Sequence, residues 1–252
     1  MTELNRTAAV LIIGNEILSG RTQDSNLNFI GQRLEKLGII LSEARVIPDD
    51  TNTIANVVKL YSDSFDYVFT TGGIGPTHDD ITTASVAKAF NQKLIRHPDA
   101  VSMMDDYYEP GQLTDARLKM ADVPENAILI KNPVSGAPGY QIENVFVLAG
   151  VPNIMQAMFD ELEERLISGP PILSASVSTN LGESQLSVGL EAIQLECITV
   201  SIGSYPYFKA GKLGVNIVLR SIDKTELIEI LEQVELLIKK LKGKVFDTYK
   251  PK

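Results

Sequence analysis

An apolar strand that runs directly into a glycine-rich turn occupies residues 66–80, which are Asp66-Tyr67-Val68-Phe69-Thr70-Thr71-Gly72-Gly73-Ile74-Gly75-Pro76-Thr77-His78-Asp79-Asp80. Glycines at a strand end allow backbone N–H groups to approach a ligand closely, and the start of a following helix attracts an anion. The stretch is not a P-loop, because it has no lysine, and His78 stands where a dinucleotide fingerprint has its third glycine. Local chemistry leaves two interpretations: a phosphate cradle formed by Gly72, Gly73, Gly75 and Thr77, or a tight turn in which Asp79 or Asp80 caps the next helix.

Strands and helices alternate on both sides of this stretch. Residues 8–13 form a continuous apolar run, which is typical of a strand buried on both faces. Further strands are predicted at residues 39–47, 66–71, 127–131 and 145–148, and helices begin near residues 24, 50, 79 and 152. Residues 99–124 give only a weak helix prediction near 112–121, with no clear role. The alternation predicts an α/β fold with an open, mostly parallel sheet whose ligands lie beyond the carboxyl ends of the strands.

A second, smaller domain is predicted after the turn Ser168-Gly169-Pro170-Pro171. Beyond this turn the order becomes strand (172–179), helix (182–195), two strands (198–202 and 215–220) and a last helix (224–241). We therefore expect an α/β domain over residues 1–168 and a small α+β domain over residues 172–245.

Acidic side chains follow the first predicted strand as well as the third. Glu16 lies in the stretch Gly14-Asn15-Glu16-Ile17-Leu18-Ser19-Gly20. In a parallel sheet the two strand ends share an edge, so Glu16 could converge with Asp79 and Asp80 on a divalent ion beside the phosphate. The alternative is that these carboxylates only cap turns and helices, and for Asp24 this is the interpretation we favour.

Two more loops at strand ends are dense in glycine and proline. Residues 132–139, Asn132-Pro133-Val134-Ser135-Gly136-Ala137-Pro138-Gly139, have the composition of a shaped surface turn, and the Ser135 hydroxyl could donate to a phosphate oxygen. Residues 150–153 form a strand-to-helix junction of the same kind. His78 has no second histidine at metal-ligand spacing, so its candidate role is a substrate contact.

In their order and spacing, these loops together resemble the molybdopterin-binding fold of molybdenum-cofactor biosynthesis proteins. The resemblance is closest to the CinA-type competence/damage-inducible proteins and to the N-terminal domain of eukaryotic FAD synthase. It rests on residues 14–20, 24–26, 71–80, 132–139 and 150–152 and covers nearly the whole first domain. Two positions depart from the family pattern: Asn15 stands where the family usually has Asp, and Ala149 replaces the usual proline.

The resemblance implies a three-layer α/β fold, usually assembled as a homo-oligomer such as a dimer or trimer. It implies a pyrophosphatase that acts on ADP-ribose or FAD and depends on a divalent metal, Mg²⁺, Mn²⁺ or Co²⁺. Asp79, Asp80 and Glu16 would then be catalytic and hold the metal. The substrate would be bound by Gly14, Asn15, Gly72, Gly73, Gly75, Thr77, His78, Asn132, Ser135 and Gly136. The alternatives are a protein that binds molybdopterin or a nucleotide without catalysis, and an enzyme that adenylylates molybdopterin.

Composition excludes several other classes of protein. The 252 residues are 44% hydrophobic and carry a net charge of −9, so no clustered positive charge favours nucleic acid. Cys197 is the only cysteine, which rules out an internal disulfide. No apolar run approaches the length of a membrane helix, and no signal peptide is evident. We expect a cytoplasmic protein that binds neither a membrane nor nucleic acid.

Overall fold

The computed structural model describes residues 5–209 and 211–251. It divides the chain into two compact units, residues 1–169 and 170–252. In this part of the chain, no helix combines the length and the apolar character that crossing a membrane requires.

The first unit alternates strands and helices as the sequence predicts. Its strands are β1 (Thr7–Ile13), β2 (Ile40–Ile47), β3 (Tyr67–Thr71), β4 (Leu94–Arg96), β5 (Asp122–Pro124), β6 (Ile128–Ile130), β7 (Gly139–Ile142) and β8 (Val145–Leu148). Its helices are α1 (Asn15–Leu18), α2 (Asn26–Lys36), α3 (Thr51–Ser64), α4 (Thr82–Ala89), α5 (Pro98–Tyr107), α6 (Asp115–Leu118) and α7 (Pro152–Leu162). Short 3₁₀ turns follow α6 and α7, at Lys119–Ala121 and Glu163–Arg165.

Six of these strands form one mixed, mostly parallel sheet in the order β2-β1-β3-β8-β7-β6. β1 pairs in parallel with β2 and β3, and β3 pairs in parallel with β8. The chain moves outward from β1 to β2 and then returns past β1 to β3. The strand order therefore reverses between β1 and β3, which is the point where open α/β sheets bind ligands.

The apolar run of β1 is buried because helices cover both faces of the sheet. Val10 and Ile12 belong to the core that α2 and α7 complete, whereas Leu11 and Ile13 belong to the core that α3 completes. Alternate side chains of one strand point to opposite faces, so a doubly covered strand needs apolar residues throughout. The predicted α/β fold in three layers is confirmed.

Residues 98–124 hold more structure than the sequence predicts. Helix α5 begins at Pro98, the His97 side chain accepts a hydrogen bond from the Asp99 N–H, and the helix buries its own residues Ala100 and Met104. Because most residues of α5 are polar, the few apolar positions that pack it against the domain give no clear helical pattern in the sequence. Strands β4 and β5 form a separate antiparallel pair, and β5 contacts α4.

The second unit is a four-stranded antiparallel sheet with two helices, which confirms the predicted α+β class. Its elements are β9 (Leu173–Thr179), α8 (Glu183–Glu196), β10 (Ser201–Lys209), β11 (Lys212–Ser221), α9 (Lys224–Lys240) and β12 (Val245–Tyr249). The strands lie in the order β10-β11-β9-β12. Helix α9 buries Leu227, Leu231 and Val234 in a core with Ala175 and Val177 of β9. The sequence had not predicted β12, which is half-exposed along its length and lies at the edge of the sheet.

Candidate functional site

A cavity of about 520 Å³ lies at the edge of the first unit's sheet where β1, β3 and β8 end. This volume is in the usual range for a small-molecule site. Segments that follow β1, β3, β6 and β8 form its wall, together with the start of α2. The lining residues are Glu16, Ile17, Thr22 to Asn26, Gly72 to Pro76, Asp80, Met120, Asn132, Ser135, Ala137, Pro138, Ala149 to Pro152, Ile154 and Met158.

The fold brings the four predicted loops together at this cavity, but not every predicted residue reaches it. The predicted residues that line the cavity are Glu16, Gly72, Gly73, Gly75, Asp80, Asn132 and Ser135. The predicted residues outside the lining are Gly14, Asn15, Thr77, His78, Asp79 and Gly136.

The first two glycines of the turn after β3 have conformations that other residues rarely adopt. Gly72 has φ +102° and Gly73 has φ +68°. A Cβ on Gly72 would collide with the carbonyl oxygen of Ile13, and one on Gly73 would collide with the Thr82 hydroxyl. The Gly72 N–H already donates to the carbonyl oxygen of Leu148 at 3.2 Å. Within the described residues, the N–H groups of Gly73 and Gly75 make no hydrogen bond and remain available for a ligand.

Residues 77–80 form a turn closed by its own side chains. The Thr77 N–H donates to Asp80 Oδ2 at 2.8 Å, and the Thr77 hydroxyl contacts the carboxylates of both Asp79 and Asp80. Hydrogen bonding from the Thr77 hydroxyl lowers the pKa of Asp79. The sequence predicts that Asp79 and Asp80 open the next helix. Helix α4 begins only at Thr82, so the acidic pair precedes the helix instead. Thr77 therefore shapes the turn instead of facing the cavity.

Lys119 holds this turn from a distant part of the chain. Its Nζ donates to the carbonyl oxygens of Thr77 at 2.6 Å and Asp80 at 3.3 Å. Sequence reasoning missed Lys119 because nothing in the polar 99–124 segment indicates a partner 42 residues away.

The segment after β1 places Glu16 at the cavity and Asn15 away from it. Asn15 opens the short helix α1, and its N–H donates to Asp49 Oδ2 at 2.8 Å. The Glu16 carboxylate lies over Gly14, where a Cβ would obstruct it. Asp24 also lines the cavity, and its Oδ1 accepts from the Leu27 N–H at 2.9 Å, so the predicted helix-capping role is confirmed.

The loop after β6 combines exposed and buried residues: Pro133 and Val134 are exposed, as expected of a surface turn, whereas Asn132 and Ala137 are buried. Asn132 is 6% exposed. Its Nδ2 donates to Ser135 Oγ at 2.6 Å and to the Ala137 carbonyl oxygen at 2.8 Å, while its Oδ1 accepts from the N–H groups of Val134 and Ser135. These four bonds use the full capacity of the amide. Asn132 therefore positions Ser135, whose hydroxyl proton is free to bind a ligand.

Helix α5 supports this loop from outside, which gives residues 98–124 a role. The hydroxyl of Tyr107 donates to the Val134 carbonyl oxygen at 2.6 Å, and that of Tyr108 donates to the Ser135 carbonyl oxygen at 3.1 Å. Gly136, with φ +77°, packs against the Tyr107 side chain rather than lining the cavity.

The charged side chains in the cavity lining are all acidic: Glu16, Asp24 and Asp80. Among the described residues, no three His, Cys, Asp or Glu side chains are grouped closely enough to hold a metal ion by themselves. The carboxylate oxygens are nevertheless the donors that Mg²⁺ prefers, and such sites commonly combine one or two carboxylates with phosphate oxygens of the substrate. The donor set therefore fits a metal that binds together with its substrate.

Comparisons with known proteins agree with this fold. Residues 9–168 match the family described as "Probable molybdopterin binding domain", and residues 171–249 match the family described as "FAD synthase, middle domain". The first match spans most of the chain, so this protein belongs to the molybdopterin-binding domain family.

Several individual proteins are similar to this chain over most of its length or over its first domain. The chain is 33% identical over 229 residues to a protein of Archaeoglobus fulgidus, covering 91% of this chain and 96% of that protein. It is 32% identical over 263 residues to a "Probable FAD synthase" of Caenorhabditis elegans, covering 94% of this chain but 50% of the relative. The chain thus spans about half the length of that FAD synthase. The crystal structure of the protein CinA from Thermoplasma acidophilum is 37% identical with a TM-score of 0.60, covering 64% of this chain and 98% of that structure.

Proposed function

We propose that this protein is a nucleotide pyrophosphatase that depends on a divalent metal and cleaves a phosphoanhydride bond in a molecule such as ADP-ribose or FAD. The observation that carries the proposal is a cavity whose lining, among the described residues, combines free glycine amides with three carboxylates and has no basic side chain. Free N–H groups suit a phosphate. A phosphate beside three carboxylates needs a cation, so the ligand and a divalent ion should bind together.

The residues of the chain then have distinct roles. The N–H groups of Gly73 and Gly75 would bind phosphate oxygens, and the Ser135 hydroxyl would donate a further hydrogen bond. Glu16 and Asp80 would hold the metal, for which Mg²⁺, Mn²⁺ and Co²⁺ are the candidates. Such an ion neutralises phosphate charge and makes the phosphorus atom more susceptible to attack by water. Asp79, which lies outside the lining, would act through the turn that it closes with Thr77.

The relatives support a nucleotide as substrate, because members that match this chain along its length include proteins named FAD synthase. The single cysteine supports a cytoplasmic setting. We also propose a homo-oligomer, an expectation that comes from the family resemblance alone.

One observation favours a second candidate, a protein that binds a nucleotide or pterin without hydrolysing it. The carboxylates of Asp79 and Asp80 are both hydrogen-bonded to Thr77. Groups engaged in this way could serve only to shape the turn. An adenylyltransferase acting on molybdopterin would use the same cavity and the same metal.

Incubation with ADP-ribose or FAD and each divalent ion tests the proposal, with AMP as the measured product. The informative variant is Asp80→Asn, since its carbonyl oxygen can still accept from the Thr77 N–H while the charge is lost. We expect its turnover to fall about 100-fold or more without loss of folding. The control is Asp63→Asn, because Asp63 is exposed on α3 and pairs with Lys59. Nucleotide binding without any AMP from the wild-type protein would favour the non-catalytic binder instead.

A further inference from the structure

A buried asparagine in the cavity wall has a hydrogen-bond partner for its amide nitrogen but none for its amide oxygen. Asn26, the first residue of α2, is 4% exposed and lines the cavity. Its Nδ2 donates to the carbonyl oxygen of Gly150 at 2.8 Å. Its Oδ1 has no hydrogen-bond partner among the described residues.

The contact with Gly150 fixes the orientation of the Asn26 amide. A backbone carbonyl oxygen can only accept a hydrogen bond, so the amide nitrogen must face it. The oxygen is therefore the atom left over. Buried acceptors in proteins are nearly always paired, and one without a partner calls for an explanation.

Thr22, Gln23 and Ser25 in the same lining carry potential donors, but no described residue donates to Asn26 Oδ1. Val151 and Ile154 present apolar side chains, and Pro152 has no N–H group. Asp24 is a carboxylate that already accepts from the Leu27 N–H. Because Asn26 lines the cavity, a molecule bound there is the partner that the structure offers.

We infer that Asn26 Oδ1 accepts a hydrogen bond from an N–H or O–H group of the bound molecule, which makes Asn26 a specificity-determining residue. An ionised phosphate has no proton to donate. Asn26 therefore recognises the part of the ligand away from the phosphates, either an amino group on a heteroaromatic ring or a sugar hydroxyl. The inference rests on the proposed function for the choice of a nucleotide as the ligand.

The test compares ADP-ribose with three analogues, each lacking one donor of the adenosine moiety: the 6-amino group, the 2′-hydroxyl or the 3′-hydroxyl. Dissociation constants are measured by calorimetry on the full chain, with Ca²⁺ as the divalent ion. We expect one analogue to bind wild-type protein at least about tenfold more weakly than ADP-ribose, because the donor missing from that analogue leaves Asn26 Oδ1 unpaired. The identity of that analogue shows whether the base or the sugar is recognised.

Two variants separate recognition by Oδ1 from the tether to Gly150. Asn26→Asp loses the donor to Gly150 but keeps an acceptor, so it should retain the tenfold discrimination even if overall affinity falls. Asn26→Leu lacks both groups and should bind ADP-ribose and the weak analogue equally. The control is Asn28→Leu on the same helix, because the Asn28 side chain is exposed and accepts a hydrogen bond from Gln32. This variant should bind ADP-ribose and the analogues like the wild type.

Three results would overturn the inference. One is that wild-type protein binds all four molecules within twofold of each other, and another is that Asn26→Asp and Asn26→Leu lose discrimination alike. The third is that ADP-ribose fails to bind at all, which would also contradict the proposed substrate class. Hydrolysis to AMP without discrimination counts against the role of Asn26 alone. Discrimination without hydrolysis supports that role and contradicts the proposed hydrolase.

Discussion

Two of the glycine-bearing loops at the cavity, residues 72–80 and 132–138, look alike in composition but differ in how their polar groups are used. In the second loop Asn132 makes four hydrogen bonds inside the loop, which leaves a rigid wall with one free hydroxyl at Ser135. In the first loop the amides of Gly73 and Gly75 stay free, and the Asp80 carboxylate lines the cavity. Glycine content therefore marks both loops alike, whereas unused hydrogen-bonding capacity distinguishes the first loop, for which we propose the phosphate contacts.

Replacing the first glycine of the first loop should have the largest effect on the fold. In Gly72→Ala the new Cβ would meet the Ile13 carbonyl oxygen at a positive φ, and we expect a loss of about 3 kcal/mol or more in unfolding free energy. Gly20→Ala is the control, because Gly20 also has a positive φ but open space around it, so its loss should be about 1–2 kcal/mol. Urea denaturation measures both. If both variants lose the same unfolding free energy, then the positive φ alone requires a glycine at position 72, and the close approach to β1 does not.

Variants of Asn132 and Ser135 should distinguish the contribution of the second loop to stability from its contribution to ligand binding. Asn132→Ala leaves the N–H groups of Val134 and Ser135 without their acceptor, so we expect a loss of about 2–3 kcal/mol in unfolding free energy. Ser135→Ala removes one acceptor of the Asn132 amide, so it should cost about 1 kcal/mol of stability, less than Asn132→Ala, but weaken ADP-ribose binding about tenfold. Denaturation and calorimetry on both variants check this contrast. A Ser135→Ala protein that binds ADP-ribose like the wild type would leave the second loop with no ligand contact from Ser135.

The smallest effect concerns the turn that closes the first loop. The Thr77 hydroxyl lowers the pKa of Asp79, so this carboxylate stabilises the fold above its ordinary pKa, and that contribution disappears as pH falls through the lower, folded-state pKa. In Thr77→Val the pKa of Asp79 should rise toward the ordinary value, and the protein should lose less stability on acidification. NMR titration of the Asp79 carboxyl group measures the shift. An unchanged titration midpoint would mean that the hydroxyl does not stabilise the ionised carboxylate.

The sequence predicts the sheet and the loops that line the cavity well because both depend on local patterns. A continuous apolar run identifies β1, and glycines mark where β3 ends, so the strand ends that form the cavity could be found without coordinates. The partners of buried polar groups could not be found in this way. Asn26 reaches Gly150 across 124 residues, and Lys119 reaches Thr77 across 42, so these contacts exist only once the chain is folded. The polar segment that carries α5 was obscure because its role is to support a loop elsewhere.

The dependence of ADP-ribose binding on divalent ions tests the central claim most directly, because the described residues of the cavity offer carboxylates and amides but no basic side chain. Equilibrium dialysis of the wild-type protein and Asp80→Asn should be carried out in EDTA and across a range of Mg²⁺ concentrations. We predict that Mg²⁺ tightens wild-type binding about 100-fold or more, and that Asp80→Asn needs more Mg²⁺ to reach half of its effect. Equal affinity in EDTA and in saturating Mg²⁺ would contradict the claim that the ligand and a metal bind together.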